Sequence, residues 1–304
     1  MSHECFEDRL YDIIDGNYIY INEKMSKHTY FKIGGAADFM IEPRTEEELS
    51  KLIKLLNEFN KDYFVLGNGT NLLVSDKGIR DVVIKIGDAF EHIDIDGENI
   101  IAGAGCSLSE VAQSALANEL TGFEFASGIP GAVGGALTMN AGAYGGEMKD
   151  IVKSVRCINS EGEIRVYDNE EMLFAYRNSR IQKQHLIALG AIFKLEKGDR
   201  DIIASRMQEL NEKRRQKQPL DMPSAGSTFK RPDGDYASRL IEVSGLKGVS
   251  FRGAQVSAKH SGFVVNKNNA TCSEVVQLIE FIQKVVKDQT GYDLEPEVKV
   301  IGEK

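Results

Sequence analysis

The amino-acid sequence predicts an α+β protein in which β-hairpins stand beside helices. Two hairpins are predicted to turn at Asp96–Gly97 and at Glu161–Gly162, each between runs of strand length. Capping-box patterns over 45–48 and 107–110 each precede a stretch with helical spacing of apolar residues. A steady alternation of strand and helix, which would favour a doubly wound parallel sheet, is absent from the sequence.

The remaining elements follow from local patterns along the chain. A short amphipathic helix is predicted over 4–15, and the segment 28–45 is predicted to form a strand, a Gly-Gly turn and a second strand. Helices are also predicted over 200–218 and 272–289, with apolar strands near 63–66, 82–87, 185–198 and 295–302.

The chain has 304 residues, enough for two or three domains with cores of their own. We divide it into the parts 1–86, 87–200 and 201–304. The formal net charge of −9 argues against nucleic-acid binding, which needs a basic domain or stripe. An anionic small ligand remains compatible with this charge, because local clusters of lysine and arginine can override it.

The N-terminal stretch and the cysteines predict a cytoplasmic protein. The stretch MSHECFEDRLYDII is acidic and lacks the apolar core of a signal peptide. No apolar run reaches the roughly 20 residues that a membrane-spanning helix needs. The four cysteines lie far apart, without the paired spacing of a zinc site. They are therefore expected to be reduced thiols, and no metal is expected.

A strand followed by Gly103-x-Gly105 and a helix suggests the dinucleotide-binding fingerprint of Rossmann folds. The third glycine position of that fingerprint falls on Leu108, and the preceding strand belongs to a predicted hairpin. An acidic residue at the end of a second parallel strand is also missing. We therefore interpret the pattern as a tight turn before a helix.

Two other glycine-rich segments are better candidates for ligand binding. The turn at Gly67–Asn71 directly follows a strand, and successive N–H groups in such a turn form an anion-binding nest. The run at 128–146 is too apolar for an exposed loop and too rich in glycine for a regular helix. Together the two segments indicate one extended anionic ligand, for which a flavin dinucleotide fits. A purely structural packing segment is the alternative.

Motifs spread over nearly the whole chain resemble those of one enzyme family. In order, they are KHTYFKIGGAADF, LGNGTNLLVSD, SGIPGAVGGALTMNAGAYGGEM, FAYRNSR, QPLDMPSAGSTFKRP, SGLKG, KHSGFVVN and LEPEVKVIG. From about residue 25 to residue 302 the sequence is similar to UDP-N-acetylenolpyruvoylglucosamine reductases, also called UDP-N-acetylmuramate dehydrogenases. The short stretch between Arg177 and Ser227 resembles the compact form of the family, which lacks an inserted segment with a substrate-gating tyrosine. Gly234 stands where the long form has a substrate lysine.

The resemblance implies an FAD enzyme of bacterial cell-wall precursor synthesis, with NADPH as the reductant. The implied substrate is UDP-N-acetylglucosamine enolpyruvate, which is reduced to UDP-N-acetylmuramate. The implied fold has two FAD-binding subdomains of the vanillyl-alcohol-oxidase type, over 1–86 and 87–200. An α/β substrate domain is implied for 201–304, and the enzyme is expected to be a monomer.

The resemblance also assigns roles to individual residues. Ser227 matches the proton donor, and Arg177 and Glu297 match the pair that stabilises an enolate. An ionised carboxylate would repel an enolate, so Glu297 is expected to be protonated, or to act through Arg177 or a water, with burial raising its pKa. The residues expected to bind FAD are Gly67, Asn68, Gly69, Thr70, Asn71, Gly128, Ile129, Pro130, Gly131, Gly134, Gly135, Asn140, Gly142 and Ala143, with Thr29 and Tyr30 near the flavin. Those expected to bind the substrate are Lys230, Arg231, His260 and Asn266.

Two other functions stay open at this point. The first is another FAD-dependent oxidoreductase of the same fold that acts on an alcohol or a sugar. Such enzymes often attach FAD covalently through histidine or cysteine, and none of the five histidines lies in the glycine-rich loops. The second is a catalytically inactive nucleotide-binding or regulatory protein. The joint presence of Arg177, Ser227 and Glu297 argues against it.

Overall fold

A computed structural model describes residues 5–303, in which helices and strands are mixed along the chain. The helices are α1 Phe6–Tyr11, α2 Glu46–Glu58, α3 Leu108–Ala117, α4 Val133–Met139, α5 Met148–Ile151, α6 Arg180–Lys183, α7 Arg200–Lys217, α8 Ala237–Val243 and α9 Cys272–Thr290. The strands are β1 Ile19–Lys24, β2 Ala36–Ile41, β3 Tyr63–Leu66, β4 Leu72–Val74, β5 Ile79–Lys85, β6 Ile93–Asp96, β7 Asn99–Gly103, β8 Leu120–Thr121, β9 Gly142–Ala143, β10 Gly146–Glu147, β11 Val152–Ile158, β12 Ile164–Asp168, β13 Ile187–Lys194, β14 Glu196–Lys197, β15 Ser250–Phe251, β16 Ala254–Val256, β17 Val264–Asn266 and β18 Lys299–Ile301.

The strands combine antiparallel and parallel pairing. The largest sheet has the antiparallel order β12-β11-β13-β7-β6. A second sheet has the order β1-β2-β5-β3, in which β3 and β5 run parallel. Strands β15, β16 and β17 form an antiparallel sheet, and β18 pairs in parallel with β4. Hairpins and helices therefore coexist, and the predicted α+β class is confirmed.

The chain forms two compact units, each built from three separate stretches of sequence. The first unit comprises Met1–Tyr20, Phe39–Gly67 and Asp81–Glu212, and the second comprises Ile21–Asp38, Asn68–Arg80 and Lys213–Lys304. Each has its own apolar core, one around α2, α3 and the five-stranded sheet, the other around α8, α9 and the three-stranded sheet. The two units are therefore not continuous in sequence. The parts 1–86, 87–200 and 201–304 follow one another along the chain, and their assignment to FAD binding and substrate binding stays a prediction.

Local chemistry forms the elements that were predicted from local patterns. The two predicted hairpins are present as β6–β7 and β11–β12. Helix α3 begins with a complete capping box, since the Ser107 Oγ accepts from the Glu110 N–H at 3.2 Å and Glu110 accepts from the Ser107 N–H at 3.1 Å. At α2 only half of the box forms. The Thr45 Oγ1 accepts from the Glu48 N–H, but the Glu48 carboxylate accepts from the N–H of Arg44.

The strand predicted at the start of segment 28–45 is wrong. Residues 28–35 are irregular, with left-handed backbone at Lys32 and Gly34. Local hydrogen bonds replace strand pairing, because the Thr29 carbonyl accepts from the Lys32 N–H at 3.0 Å and the Thr29 Oγ1 donates to the Ile33 carbonyl at 3.1 Å. Strand β1 precedes this segment and was not predicted.

The cysteines and the helices agree with the expectations drawn from composition. All four cysteines are free thiols, and burial raises the pKa of Cys157 to about 12 and that of Cys272 to about 11. Within residues 5–303, every helix is too short or too polar to cross a lipid bilayer.

Candidate active site

The glycine-rich run of the first unit contains a turn, a short helix and a hairpin. The N–H groups of Val133 and Gly134 donate to the carbonyls of Cys106 and Ala104, both at 2.9 Å, where α4 begins. A Cβ added at Gly134 would lie 3.2 Å from the Ala104 Cβ, so glycine allows α4 to start close to the turn after β7. The expectation that this run forms no regular helix is therefore wrong over 133–139, because packing compensates for low helix propensity.

The turn before α4 fits a polar, elongated ligand. Gly131 has a φ of 140°, which favours glycine. The Ser127 hydroxyl directly precedes the turn and is buried, and it has no hydrogen-bond partner within residues 5–303. Since buried hydroxyls are normally paired, a polar ligand group is a fitting partner. A Cβ added at Gly67 would lie 4.0 Å from the Ala132 Cβ, so the end of β3 is close to the same turn.

Arg177 lies in a tight turn of the first unit. The N–H and carbonyl groups of Ala175 and Asn178 exchange two hydrogen bonds of 3.0 and 3.1 Å, which leaves Tyr176 and Arg177 at the tip. Arg177 has a φ of 55°, a left-handed conformation that costs a non-glycine residue about 1 kcal/mol. Its guanidinium lies 5.1 Å from the centroid of the Tyr176 ring, a distance typical of a cation–π contact.

Three further predicted cofactor residues lie beyond α4. Gly142 and Ala143 form β9, which pairs with β10 in a short hairpin. Asn140 has a left-handed φ of 42°, and its side chain is buried and hydrogen-bonded to other parts of the first unit. Whether these residues contact FAD stays a prediction.

In the second unit, residues 68–71 of the predicted cofactor turn pack against the segment 28–30. Gly69 has a φ of 63°, and a Cβ added there would lie 2.2 Å from the His28 carbonyl oxygen. The Tyr30 N–H donates to the Gly69 carbonyl at 3.1 Å. Thr29 is buried and Tyr30 is half exposed, so the two residues expected near the flavin lie beside this turn.

The second unit also brings Ser227, Glu297 and Asn71 close together. The Glu297 N–H donates to the Thr228 carbonyl at 2.8 Å, and the Asn71 side-chain amide donates to the Glu297 carbonyl at 3.3 Å. The Lys299 N–H donates to the Asn71 carbonyl at 3.1 Å. Ser227 is exposed, and Glu297 is half-buried rather than enclosed. The residues matched to the proton donor and to the enolate-stabilising acid thus adjoin the predicted cofactor turn.

His260 adjoins the same segment. The Gly262 carbonyl accepts from the Thr228 N–H at 2.8 Å, and the His260 Nδ1 accepts from the Gly262 N–H at 3.1 Å. Burial lowers the pKa of His260, and the Nδ1 atom that accepts this hydrogen bond carries no proton. The neutral imidazole of His260 therefore lies beside Gly262, whose carbonyl bonds to Thr228, the residue after Ser227.

The other predicted substrate residues have partners within the second unit. Lys230 forms an ion pair with the Glu295 carboxylate. The Arg231 guanidinium lies 4.1 Å from the centroid of the Tyr236 ring. The buried Asn266 amide donates to the Phe31 carbonyl at 3.1 Å and accepts from the Ala270 N–H at 2.7 Å. Lys230 and Arg231 are accessible enough to meet a ligand, whereas Asn266 holds three backbone segments together.

Lys299 is a candidate that the sequence analysis did not select. It follows Glu297 by two residues, and its N–H donates to the carbonyl of Asn71, whose side chain bonds to the Glu297 carbonyl. Burial and the neighbouring charge of Lys230 lower the pKa of Lys299. The alternation within LEPEVKVIG was a signal that could have identified it.

Comparison with known proteins relates this arrangement to characterised families. Residues 37–168 match the family model of an FAD binding domain, and residues 218–301 match that of the C-terminal domain of UDP-N-acetylenolpyruvoylglucosamine reductase. The chain is 53% identical over 301 residues to the UDP-N-acetylenolpyruvoylglucosamine reductase of Caldanaerobacter subterraneus, covering 99% of each chain.

Solved structures show the same relationship. The crystal structure of UDP-N-acetylenolpyruvylglucosamine reductase from Thermus caldophilus matches with a TM-score of 0.80 and 35% identity, over 93% of this chain and 97% of that one. Phl p 4.0202, a glucose dehydrogenase, matches with a TM-score of 0.52 and 11% identity, over 95% of this chain and 64% of that one. The second likeness concerns the fold alone, and the predicted FAD-binding fold is confirmed.

Proposed function

Because the chain belongs to the UDP-N-acetylenolpyruvoylglucosamine reductase family, we propose that it reduces UDP-N-acetylglucosamine enolpyruvate to UDP-N-acetylmuramate, with FAD as cofactor and NADPH as reductant. The product is a precursor of peptidoglycan. The observation that carries the proposal is the convergence of Ser227, Glu297 and Asn71 in the second unit, through hydrogen bonds from Glu297 to Thr228 and from Asn71 to Glu297.

The glycine turns are the parts of the chain that would hold FAD. FAD, when bound, takes up a hydride from NADPH and supplies it to the substrate. Backbone N–H groups at 67–71 and at Gly131 suit a diphosphate, because the glycines at these turns let the backbone approach it closely. The Ser127 hydroxyl, buried and unpaired within residues 5–303, would donate to or accept from the cofactor.

Arg177 binds the substrate carboxylate in this proposal. The substrate is an enol ether whose double bond is conjugated to a carboxylate. A hydride added at the terminal carbon pushes the electron pair of that double bond towards the carboxylate, which produces an enolate. A guanidinium can bind both carboxylate oxygens and stabilises the charge that develops on them. The left-handed turn presents Arg177 at its tip, which suits this role.

Ser227 completes the reduction by giving its hydroxyl proton to the carbon next to the carboxylate. The substrate thus gains one hydride and one proton, and the serine oxygen recovers a proton from water, to which it is exposed. Proton transfer from a positioned side chain typically contributes 10²–10⁴-fold to the rate. Glu297 supports the enolate in its protonated form or through a water, because an ionised carboxylate would repel the enolate.

The nucleotide end of the substrate is assigned to the basic residues around Ser227. Lys230 and Arg231 follow Ser227 in the chain and suit the UDP diphosphate, and Lys299 lies near Lys230. His260 adjoins the same segment through Gly262. In this proposal Asn266 supports the fold beneath these residues, since its amide bonds to the backbone.

The test is anaerobic flavin absorbance of the purified protein, mixed first with NADPH and then with the enolpyruvyl UDP-sugar. We expect the yellow colour to bleach with NADPH and to return only after the sugar is added, with one equivalent of UDP-N-acetylmuramate formed. A flavin that NADPH bleaches but that the sugar does not reoxidise would refute the substrate. It would then favour an FAD oxidoreductase acting on an alcohol or another sugar. A protein without bound flavin would refute the whole assignment.

A further inference from the structure

The turn that carries Arg177 needs support from the rest of the first unit. Tyr176 is exposed and Arg177 is left-handed, so this turn opposes the intrinsic preference of its residues. Such conformations persist when surrounding contacts over-determine them, and they often occur where a side chain must be aimed. The contacts that hold the turn come from the end of α4, about 35 residues earlier in the chain.

Asn140 makes the first of these contacts. Its side-chain NH₂ donates to the Ala175 carbonyl at 3.2 Å and to the Glu147 carboxylate at 2.7 Å. Its Oδ1 accepts from the Lys149 N–H at 2.9 Å. The residue is 1% exposed, and every hydrogen-bonding atom of the amide is in use. Only an amide of this length offers two donors and one acceptor at these positions.

Thr138 and Gln182 make the second contact. The Gln182 Nε2 donates to the Arg177 carbonyl at 3.0 Å and to the Thr138 carbonyl at 2.9 Å. The Ser179 hydroxyl donates to the same Thr138 carbonyl at 2.9 Å. The last turn of α4 therefore holds the Arg177 turn on both sides, at Ala175 through Asn140 and at Arg177 through Gln182.

We propose that Asn140 is a positioning residue for Arg177, with Gln182 as its counterpart on the other side of the turn. The sequence suggested instead that Asn140 binds FAD, but its amide is committed to Ala175, Glu147 and Lys149. The proposal rests on the proposed function, in which Arg177 binds the substrate carboxylate. Asn140 then acts on catalysis through the direction of Arg177, and leaves flavin binding to the glycine turns.

The experiment uses the FAD-loaded full chain and three single variants. Asn140→Ala removes the hydrogen bond to Ala175 together with those to Glu147 and Lys149, and Gln182→Ala is the milder change should Asn140→Ala fold poorly. Asn159→Ala is the matched control, because the Asn159 amide is also hydrogen-bonded to the backbone, accepting from two N–H groups in the β11–β12 turn. Each variant is measured for FAD affinity, flavin reduction by NADPH, flavin reoxidation by the enolpyruvyl sugar, and amide hydrogen exchange.

We expect Asn140→Ala to keep its FAD dissociation constant and its rate of reduction by NADPH within about threefold of wild type. Reoxidation by the sugar should slow roughly 100-fold, because small misplacements of a positioning group have effects of this size. The exchange of the Asn178 amide, which bonds to the Ala175 carbonyl, should accelerate at least about tenfold. Gln182→Ala should show the same pattern more weakly, and Asn159→Ala should show none of it.

A double-mutant cycle with Arg177→Lys separates positioning from general damage. If Asn140 acts through Arg177, adding Asn140→Ala to Arg177→Lys should slow reoxidation less than about threefold further. Additive losses, unchanged exchange at Asn178, or weakened FAD binding would each overturn the proposal. Should wild type fail to be reoxidised by the sugar, the proposed function fails. The exchange and FAD-affinity results then still decide whether Asn140 holds the turn or binds the cofactor.

Discussion

The backbone N–H of Glu297 donates a hydrogen bond of 2.8 Å to the carbonyl of Thr228, the residue that follows Ser227. The two catalytic candidates of the second unit are thus joined by main-chain atoms, although about 70 residues separate them in the sequence. Their side chains take no part in this bond. Substitutions at Ser227 or Glu297 should therefore change the chemistry and leave the local backbone in place.

Replacing Ser227 by alanine should separate the two half-reactions. Flavin reduction by NADPH is expected to be unchanged, while reoxidation by the enolpyruvyl sugar should slow by about 10²–10⁴-fold, because the proton donor is lost. Stopped-flow absorbance of each half-reaction measures both rates. Ser224→Ala, in the same segment, is the control and should leave both rates nearly unchanged. Equal losses in both half-reactions of Ser227→Ala would contradict the role of proton donor.

Substitution of Glu297 tests which protonation state supports the enolate. Glu297→Ala should slow reoxidation by about 100-fold, the usual loss for one group that stabilises developing charge. Glu297→Gln should be at least about ten times faster than Glu297→Ala, because glutamine keeps a neutral hydrogen-bond donor. Glu280→Gln, an exposed change on α9, is the control. A Gln variant as slow as the Ala variant would show that an ionised or proton-transferring carboxyl is needed.

Gly69 and Gly97 form a matched pair for testing the cofactor turn. Both have left-handed φ values, 63° and 61°, but a Cβ at Gly69 would meet the His28 carbonyl at 2.2 Å, whereas one at Gly97 has no described neighbour within 4 Å. Gly97→Ala should lower the free energy of unfolding by about 1 kcal/mol, and the variant should retain FAD. Gly69→Ala should lower the free energy of unfolding by about 2–4 kcal/mol, because a steric clash adds to the backbone strain, and this variant should lose FAD. Urea unfolding measures the stability of each variant, and flavin absorbance measures its FAD content. Equal losses of stability in the two variants would show that the clash at Gly69 has no effect of its own.

The buried His260 should make stability depend on pH. Burial lowers its pKa below that of an unfolded histidine, which is about 6.5. As the pH falls below this value the unfolded chain takes up a proton first, so stability is lost on acidification. When the pH is lowered from about 7.5 to about 5.5, the melting temperature of His260→Gln should fall less than that of wild type. The exposed His185→Asn is the control and should follow wild type. A steeper loss in His260→Gln would give the opposite sign and refute the argument.

Elements with a local chemical signature were predictable from the sequence. The capping box at Ser107 and Glu110 uses atoms three residues apart, and the hairpin at Gly97 turns within a few residues. The motifs matched to the reductase family could likewise be recognised from the order of residues alone. Comparison with a relative that is 53% identical confirmed the family they indicated.

Elements that depend on distant partners were not predictable. Helix α4 forms in a glycine-rich run because Gly134 packs at Ala104, thirty residues earlier. The segment after His28 stays irregular, with the Tyr30 N–H bonded to Gly69 about forty residues later. Neither contact can be read from the local pattern of apolar residues. Residue propensities therefore indicated no regular helix in the glycine-rich run and a strand after His28.

The sequence by itself determined the α+β class, the family and the identity of Arg177, Ser227 and Glu297 as candidates. Those features reside in residue types and in spacings along the chain. Only the tertiary structure decided that the Glu297 backbone bonds to Thr228, and that the Asn140 amide bonds to Ala175, Glu147 and Lys149. The physical reason is that an amide can bind a ligand or a carbonyl equally well, and only its neighbours in space determine which one it meets.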